Sequence, residues 1–393
     1  MAITTHTSES VTEGHPDKLA DRISDAVLDG VLAQDPGGRV ACETFITTGL
    51  VIVGGEISTD AYVDLDGIAR HAIADTGYDN ADFGFHYATC AVLSVIKEQS
   101  ADIADAVNRS LEARGNRSSD PLDALGAGDQ GIMYGYACKD TPELMPLPIA
   151  LAHRLAQGLA SLRKRGELPY LRPDGKTQVT IEYDGDRPVR ATKLLIAAQH
   201  DPTMDQEQIA DDLKRQLVDP IVSSWLDEST EILVNSSGRF VIGGPASDAG
   251  MTGRKIIVDT YGGYGSHGGG AFSGKDPSKV DRTGTYMARY VAKHLVAAGA
   301  AEKAEVQIAY AIGRARPLAV HVSSLGTSSC GDERLRQAVE SVFDLRPEAI
   351  IERFKLRRPQ YERLSAYGHF GRPELDLAWE RLDLVEALQR ALA

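Results

Sequence analysis

Three proline-led amphipathic segments recur at near-equal spacing, and this recurrence constrains the fold more than any other feature of the chain. They cover residues 16–33, 148–165 and 277–298, with starts 132 and 129 residues apart. Proline at the first helical position loses no intrahelical hydrogen bond and presets φ, so each segment reads as a helix with a defined start. Two strand-like runs follow each one: 40–47 with 50–57, 178–183 with 189–198, and 305–312 with 318–324. Shorter helix candidates come next, at 61–75, 205–218 and 332–343. Gly and Pro between the paired runs support hairpins. Helix, hairpin, helix, three times over, predicts an α+β fold of three similar domains with mixed or antiparallel sheets. A further strand is expected over 255–260, ahead of the third long helix.

The third helix start carries the densest chemistry. Gly268-Gly-Gly-Ala-Phe-Ser-Gly-Lys-Asp-Pro-Ser-Lys-Val-Asp-Arg282 runs from a glycine-rich loop into the helix and sets Lys275, Lys279 and Arg282 beside Asp276 and Asp281. Glycine lets backbone approach a ligand closely, and a helix N-terminus offers free N–H groups and a positive dipole end to an anion. Lysines add mobile positive charge, and carboxylates can hold Mg2+ against phosphate. The pattern points to a polyphosphate site. It is not a P-loop, because Asp276 stands where Ser or Thr would ligate Mg2+ and a long glycine-rich run follows the expected strand. A flexible loop capped by Asp276 and Pro277 explains those two residues but not the lysines.

Charge limits the partners. A net charge of −14 argues against a general binder of nucleic acid or of an anionic membrane. Within that acidic background, residues 239–293 hold eight Lys or Arg against four Asp or Glu. Such a positive island suits a compact polyanion, a nucleotide triphosphate above all. No apolar run is long enough to span a bilayer, and the N-terminus has no signal pattern. Cys42, Cys90, Cys138 and Cys330 are scattered without a C-x-x-C pair, as in reduced cytoplasmic proteins and unlike a zinc site.

Gly14-His15-Pro16-Asp17-Lys18 opens the first long helix, so two equivalent helix starts carry ligand chemistry, whereas Leu144-Met-Pro-Leu-Pro-Ile-Ala150 at the second is apolar and reads as packing. His15 could donate to a developing oxyanion and Asp17 could hold a metal, although a capped helix accounts for the same two residues. Gly126-Ala-Gly-Asp-Gln-Gly131 fits G-x-G-x-x-G but follows a polar loop and precedes strand-like residues 132–138, so the Rossmann context is missing. Asp129 within it could bond a ribose or an amine, or simply turn the chain. Arg172-Pro-Asp-Gly-Lys-Thr177 reads as a type I or II turn leading into a strand. Arg254 and Lys255 would leave their expected strand on opposite faces. Phe240 suits the core or a base-stacking platform. Glu43 and Glu56 lie in the first hairpin and need a cation or amine partner unless they face solvent. Residues 98–128 are too long for an inert connector and read as disordered or as a gating loop, in which 101–113 could become helical.

Jointly, Gly14–Lys18, Gly126–Gly131, Arg172–Lys176, Gly253-Arg-Lys255 and Gly268–Arg282 closely resemble the S-adenosylmethionine synthetase (methionine adenosyltransferase) family, bacterial type. The likeness runs from Thr7-Ser-Glu-Ser10 to Ala366-Tyr-Gly-His-Phe-Gly371. It implies three similarly folded domains in pseudo-threefold arrangement: here 1–102, 126–243 and 244–393, with a flexible active-site loop at 103–125. It implies that methionine sulfur attacks C5′ of ATP and that the expelled triphosphate is hydrolysed to diphosphate and phosphate. Carried over by position, His15 sits at the bridging oxygen, while Lys176, Arg254, Lys255 and Lys275 grip triphosphate. Asp129, Asp174, Arg239, Phe240, Asp248, Ala271 and Ile312 match further ATP contacts, and Glu56, Gln99, Asp248 and Lys279 match the methionine site. Asp17 and Asp281 match ligands of Mg2+, two per site, and Glu43 that of K+, one per subunit. The resemblance further implies a cytoplasmic enzyme of one-carbon metabolism, with its active site between two subunits and a homotetramer built as a dimer of dimers.

The loop between Gln99 and Gly126 is longer than in short bacterial members, around 111–119, and Tyr264-Gly-Ser266 varies within the glycine run. The same phosphate grip would also serve a kinase, which releases ADP, or a regulator that binds ATP without turnover.

Overall fold

Proline placement and alternating apolar residues fix the elements in chain order. In the computed structural model, which describes residues 3–100, 109–114 and 118–393, the first third holds β1 (Ile3–Val11), α1 (Pro16–Leu32), β2 (Arg39–Thr47), β3 (Leu50–Ser58), α2 (Leu65–Thr76) and β4 (Ala91–Lys97). The middle holds β5 (Gly131–Cys138), α3 (Leu147–Lys164), β6 (Leu171–Asp184), β7 (Arg187–His200), α4 (Gln206–Leu213) and β8 (Glu231–Val234). The remainder holds β9 (Gly250–Met251), α5 (Ile256–Asp259), α6 (Val280–Ala297), β10 (Lys303–Tyr310), β11 (Ala319–Ser323), α7 (Asp332–Val342), α8 (Pro347–Phe354) and α9 (Val385–Leu392). Each helix–hairpin–helix unit is therefore present, and the fold is α+β.

The sheets exchange strands in a ring. Their orders are β4-β3-β2-β9, β1-β6-β7-β8 and β11-β10-β5. β1, from the first unit, pairs antiparallel with β6 of the second. β5, from the second, pairs with β10 of the third. β9, from the third, returns to β2 of the first. β1 and β5 each lead within a few residues into the long helix of their own unit, which anchors those helix starts near a neighbour's sheet, whereas α5 and the glycine-rich loop separate β9 from α6.

Burial follows from these pairings. α1 and α6 share one continuous core with the first and third sheets, including Ile23, Val27, Val53, Val291 and Val306. α3 packs Leu151, Leu155 and Leu159 on Val179, Leu194 and Ile196 of the second sheet. The C-terminal segment then crosses all three helices. Gln360, Tyr361 and Glu362 donate backbone N–H groups to Asp29 of α1. Ala366 and Tyr367 pack on Ala156 and Ala160 of α3, and His369 and Glu380 bond Tyr286 and Arg289 of α6.

Three local expectations are corrected. Residues 255–260 do not form a strand; α5 is a single helical turn. Asp21 binds the Gly253 N–H and Lys18 binds Asp259, so both ends of the segment are pinned within one turn of α1. Six extended steps would span about 20 Å, a helical turn and a half only about 9 Å. Residues 172–177 are not a turn but the start of β6, which absorbs Pro173 through a register shift between Leu171 and Gly175. The third long helix begins at Val280, not Pro277, because Asp276 bonds the Ser278 N–H and forms its own turn first. The helix expected over 101–113 falls mostly outside the described residues, and 111–113 is turn.

Candidate active site

Two charged helix starts carry the candidate site residues, and they are built alike. In α1 the cap is His15, whose Nδ1 accepts the Asp17 N–H at 3.1 Å. That bond uses the lone pair of Nδ1 and leaves the proton on Nε2, the tautomer of a neutral donor. Burial and the Lys255 charge push the His15 pKa down to about 3, so the ring is neutral. Asp17, in the first turn, accepts Lys255 Nζ at 2.5 Å and the Met251 N–H at 3.0 Å, with Arg254 Nη1 at 3.4 Å. Burial alone would raise the Asp17 pKa, but the Lys255 and Met251 bonds outweigh it and hold it low. Arg254 and Lys255 thus converge on one carboxylate, contrary to the opposite faces that a strand would impose.

In α6 the cap is Lys279 and the first-turn acid is Asp281, which accepts Lys275 Nζ at 2.5 Å. Asp276 is fully buried beneath them. It binds Lys279 Nζ at 2.9 Å and the Val40 N–H at 2.8 Å, stitching the loop to β2. Asp17 and Asp281 are both the second residue of their helices, each facing a lysine from outside its helix, Lys255 from a distant segment and Lys275 from the loop just before. At the same place α3 has Pro148.

Close backbone contact brings the remaining segments in. A Cβ on Gly14 would overlap the Pro173 carbonyl, and one on Gly250 would overlap that of Pro16. Only glycine permits β6 and β9 to reach the α1 start this closely. Asp174 is buried with Oδ2 on the Gly244 N–H, while Oδ1 has no partner among the described residues. Burial raises its pKa to about 6. Lys176, next but one on β6, is exposed and acts electrostatically on His15. The Gly126–Gly131 motif meets α6 through a Gly128 N–H bond to Ser278 O, and Asp129 Oδ1 accepts the Gln130 N–H. Ala271 packs at Gly253, joining the two starts.

The other expected residues lie outside these clusters. Glu43 and Glu56 are exposed on the first sheet, and the Gln99 N–H bonds Ser58. Arg239 bonds the Pro202 carbonyl, half-buried Phe240 accepts from the His200 N–H, and Asp248 and Ile312 are exposed. A cleft of about 830 Å3, lined by Arg22, Asp29, Asp75, Arg358 and Tyr367 among others, contains none of the expected residues.

A row of α1 carboxylates went unrecognised in the sequence. Asp17, Asp21, Asp25 and Asp29 recur every four residues and so share one face. Each accepts backbone N–H groups from far along the chain: Met251 and Gly253 of one segment, Gly274 of a second and Gln360–Glu362 of a third, respectively. Asp25 also forms a buried two-point pair with Arg282, at 2.8 and 2.7 Å. The spacing was the available signal, since like charges four apart repel unless donors face them.

Lysine-paired carboxylates at glycine-lined helix starts, on three exchanged α+β units, have the chemistry of a site for a polyphosphate and its metal ion. Models of the S-adenosylmethionine synthetase N-terminal, central and C-terminal domains match residues 3–101, 124–240 and 242–381. An S-adenosylmethionine synthase of Thermus thermophilus is 59% identical over 386 residues, covering 98% of this chain and 97% of that protein. One from Desulforudis audaxviator is 58% identical over 392 residues, covering 100% and 99%. The chain belongs to the S-adenosylmethionine synthetase family. The family needs metal ions, and among the described residues no helix is long and apolar enough to cross a membrane.

Proposed function

We propose that the two charged helix starts divide the family's reaction between them. The reaction itself is ATP + L-methionine + H2O giving S-adenosyl-L-methionine, phosphate and diphosphate. The leaving triphosphate carries about four negative charges, so preorganised cations in a water-poor site stabilise the transition state more than the ground state. His15 Nε2–H donates to the bridging oxygen as it leaves C5′. Lys176, Arg254, Lys255 and Lys275 hold the triphosphate, and Arg254 favours its later cleavage. Asp129, Asp174 and Ala271 make further ATP contacts, with Asp248, Arg239, Phe240 and Ile312 around the nucleoside. The unpartnered Asp174 Oδ1 supports a ligand there, because a buried carboxylate oxygen left without a donor is costly. Glu56 and Asp248 meet the methionine amine, Lys279 its carboxylate, and Gln99 lies beside them.

Mg2+ fits this donor set. It commonly takes one or two protein carboxylates and completes its shell with phosphate and water. Asp17 and Asp281 are single carboxylates, each now held by a lysine that phosphate would draw away. Two Mg2+ ions per site, when bound, would supply Lewis-acid stabilisation of the triphosphate. Glu43 is the proposed K+ ligand, one per chain. A lone exposed carboxylate is a partial set, and water or a second chain would supply the other oxygens.

A second copy completing the site belongs to the same proposal, with two dimers forming a tetramer in the cytoplasm. Its support is an apolar face on the first sheet, where Phe45, Leu93, Val95 and Met251 are exposed. So does the division at residues 102, 125 and 243. It is supported by residues 110–112, which bond Ala124, Gly313 and Ala315, and by Asp123, which pairs with Arg316 and Arg346.

The observation that carries the reading is the paired geometry of Asp17–Lys255 and Asp281–Lys275. Incubation with ATP, methionine, Mg2+ and K+, with products separated chromatographically, tests it. Equal amounts of the sulfonium, diphosphate and phosphate are expected. ADP as product, or phosphate release indifferent to methionine, would refute it.

A further inference from the structure

Lys18 is the one charged residue of the Gly14–Lys18 motif without a part in the reaction so far, and its surroundings are specific. It is 1% exposed. Its ammonium donates to Asp21 at 2.7 Å and to Asp259 at 2.5 Å, both carboxylates being buried. The two acids hold different ends of one short segment, Asp21 from α1 and Asp259 from within it. Asp21 accepts the Gly253 N–H at 2.8 Å through its other oxygen. Asp259 closes α5, its own N–H bonded to the Lys255 carbonyl at 2.9 Å. Arg254 and Lys255 lie between these two attachments.

We infer that Lys18 is a positioning residue that clamps the segment from Gly253 to Asp259 against α1 and so sets the approach of Arg254 and Lys255 to the triphosphate. The physical grounds are three. A lysine side chain alone is a flexible stem, but two buried carboxylates fix its ammonium at once. Burying an ammonium and two carboxylates contributes little net stability over apolar residues of the same volume, so the arrangement is explained better by placement than by cohesion. The clamp also sits one residue from Asp17 in the chain, on the helix whose first turn receives both cations. A displacement of about 1 Å at such groups is enough to reduce catalysis about a hundredfold. The inference rests on the proposed role of Arg254 and Lys255.

Three variants test it: Lys18→Met, Asp259→Asn and Lys255→Met, each compared with the parent chain. The probes are calorimetric affinity for inorganic tripolyphosphate with Mg2+, KM for methionine, and hydrogen exchange read by mass spectrometry over 250–259. Lys18→Met is expected to weaken tripolyphosphate binding at least tenfold and to speed exchange over 250–259. KM for methionine should stay within about twofold, and exchange in the second sheet should be unchanged. A folded Lys18→Met protein with tripolyphosphate affinity within twofold of the parent overturns the inference, as does loss of affinity without faster exchange over 250–259. Should Lys18→Met fail to fold, Asp259→Asn carries the test, since it keeps the lysine and removes one attachment. Threefold weaker tripolyphosphate binding with faster exchange then supports the clamp, and unchanged values overturn it. Lys255→Met separates the two levels: intact tripolyphosphate binding there rejects the grip, whereas exchange over 250–259 in Lys18→Met still decides the clamp.

Discussion

α1 and α3 occupy equivalent places in the repeat, yet one buries a row of carboxylates where the other buries alanines. Counted from the second helical residue, Asp17, Asp21, Asp25 and Asp29 of α1 correspond to Pro148, Ala152, Ala156 and Ala160 of α3. The same face of α6 carries Asp281, Thr285, Arg289 and Lys293. The alanine row lets Ala366 and Tyr367 lie directly against the helix with nothing polar to desolvate. The aspartate row meets a large desolvation cost and gains, at each position, backbone N–H groups of a segment from elsewhere in the chain. Similar helices at similar places can therefore serve cohesion or placement, and buried charge shows where the chain needed its loops held.

The largest expected effect lies at the charged starts. His15→Ala and Lys275→Ala should each lower the rate of sulfonium formation about 10²- to 10³-fold, with circular dichroism and melting temperature near those of the parent. Near-normal turnover in either would remove that residue from the site and weaken the likeness between the two starts. Next comes the row itself. Asp25→Ala leaves Arg282 buried without its partner and should cost about 3–5 kcal/mol in urea unfolding. Ala156→Asp, the reciprocal change in α3, buries a carboxylate without a donor and should cost as much or prevent folding. A loss under about 1 kcal/mol for both would dissolve the distinction between the helices. Leu155→Ala in the α3 core should cost about 2–5 kcal/mol while turnover of the folded enzyme stays within twofold. A hundredfold fall in turnover would place α3 in the catalytic apparatus after all.

The smallest effect concerns pH. His153 of α3 is buried, and its pKa is pushed down to about 3 by burial and by Arg372. The unfolded chain titrates near the ordinary value of 6.5, so between 6.5 and 3 it binds the proton that the folded state refuses. Stability from this group is complete above pH 6.5 and is lost as pH falls. From pH 6.5 to 5 the loss should approach about 2 kcal/mol. His153→Gln should make the urea-midpoint profile shallower over that window; an unchanged slope would show that the ring is protonated in the folded protein.

Much of this was legible in the chain because it was written locally. Proline at helix starts, alternation in the hairpins and glycine beside lysine each report on their own neighbourhood, and they located α1, α3, the paired strands and both charged starts. What escaped was decided over distance. Residues 255–260 have the apolar, β-branched character of a strand, but Lys18 and Asp21, more than 230 positions earlier, fold them into a turn. Pro173 looks like a turn residue, yet pairing with β1 and β7 carries it into a strand with an irregular register. The acid row of α1 could be read from its spacing, but its donors lie in Met251, Gly253, Gly274 and beyond, and no local pattern announces them.

The ring of exchanged strands bears on how the molecule comes off the ribosome. β1 is the first strand synthesised, but its partner β6 follows only at Leu171–Asp184. The first sheet closes against Met251, and β5 waits for Lys303–Tyr310. The first two thirds of the nascent chain each emerge with a sheet edge that only a later third can cover, so folding is coupled to near-complete translation. Chains arrested at residue 125 or 243 should stay protease-sensitive until the missing part is added, whereas protected fragments at either length would mean that a third can close its own sheet. Where folding is so coupled, gene fragments cut between the units regain a native protein by complementation, not as independent modules.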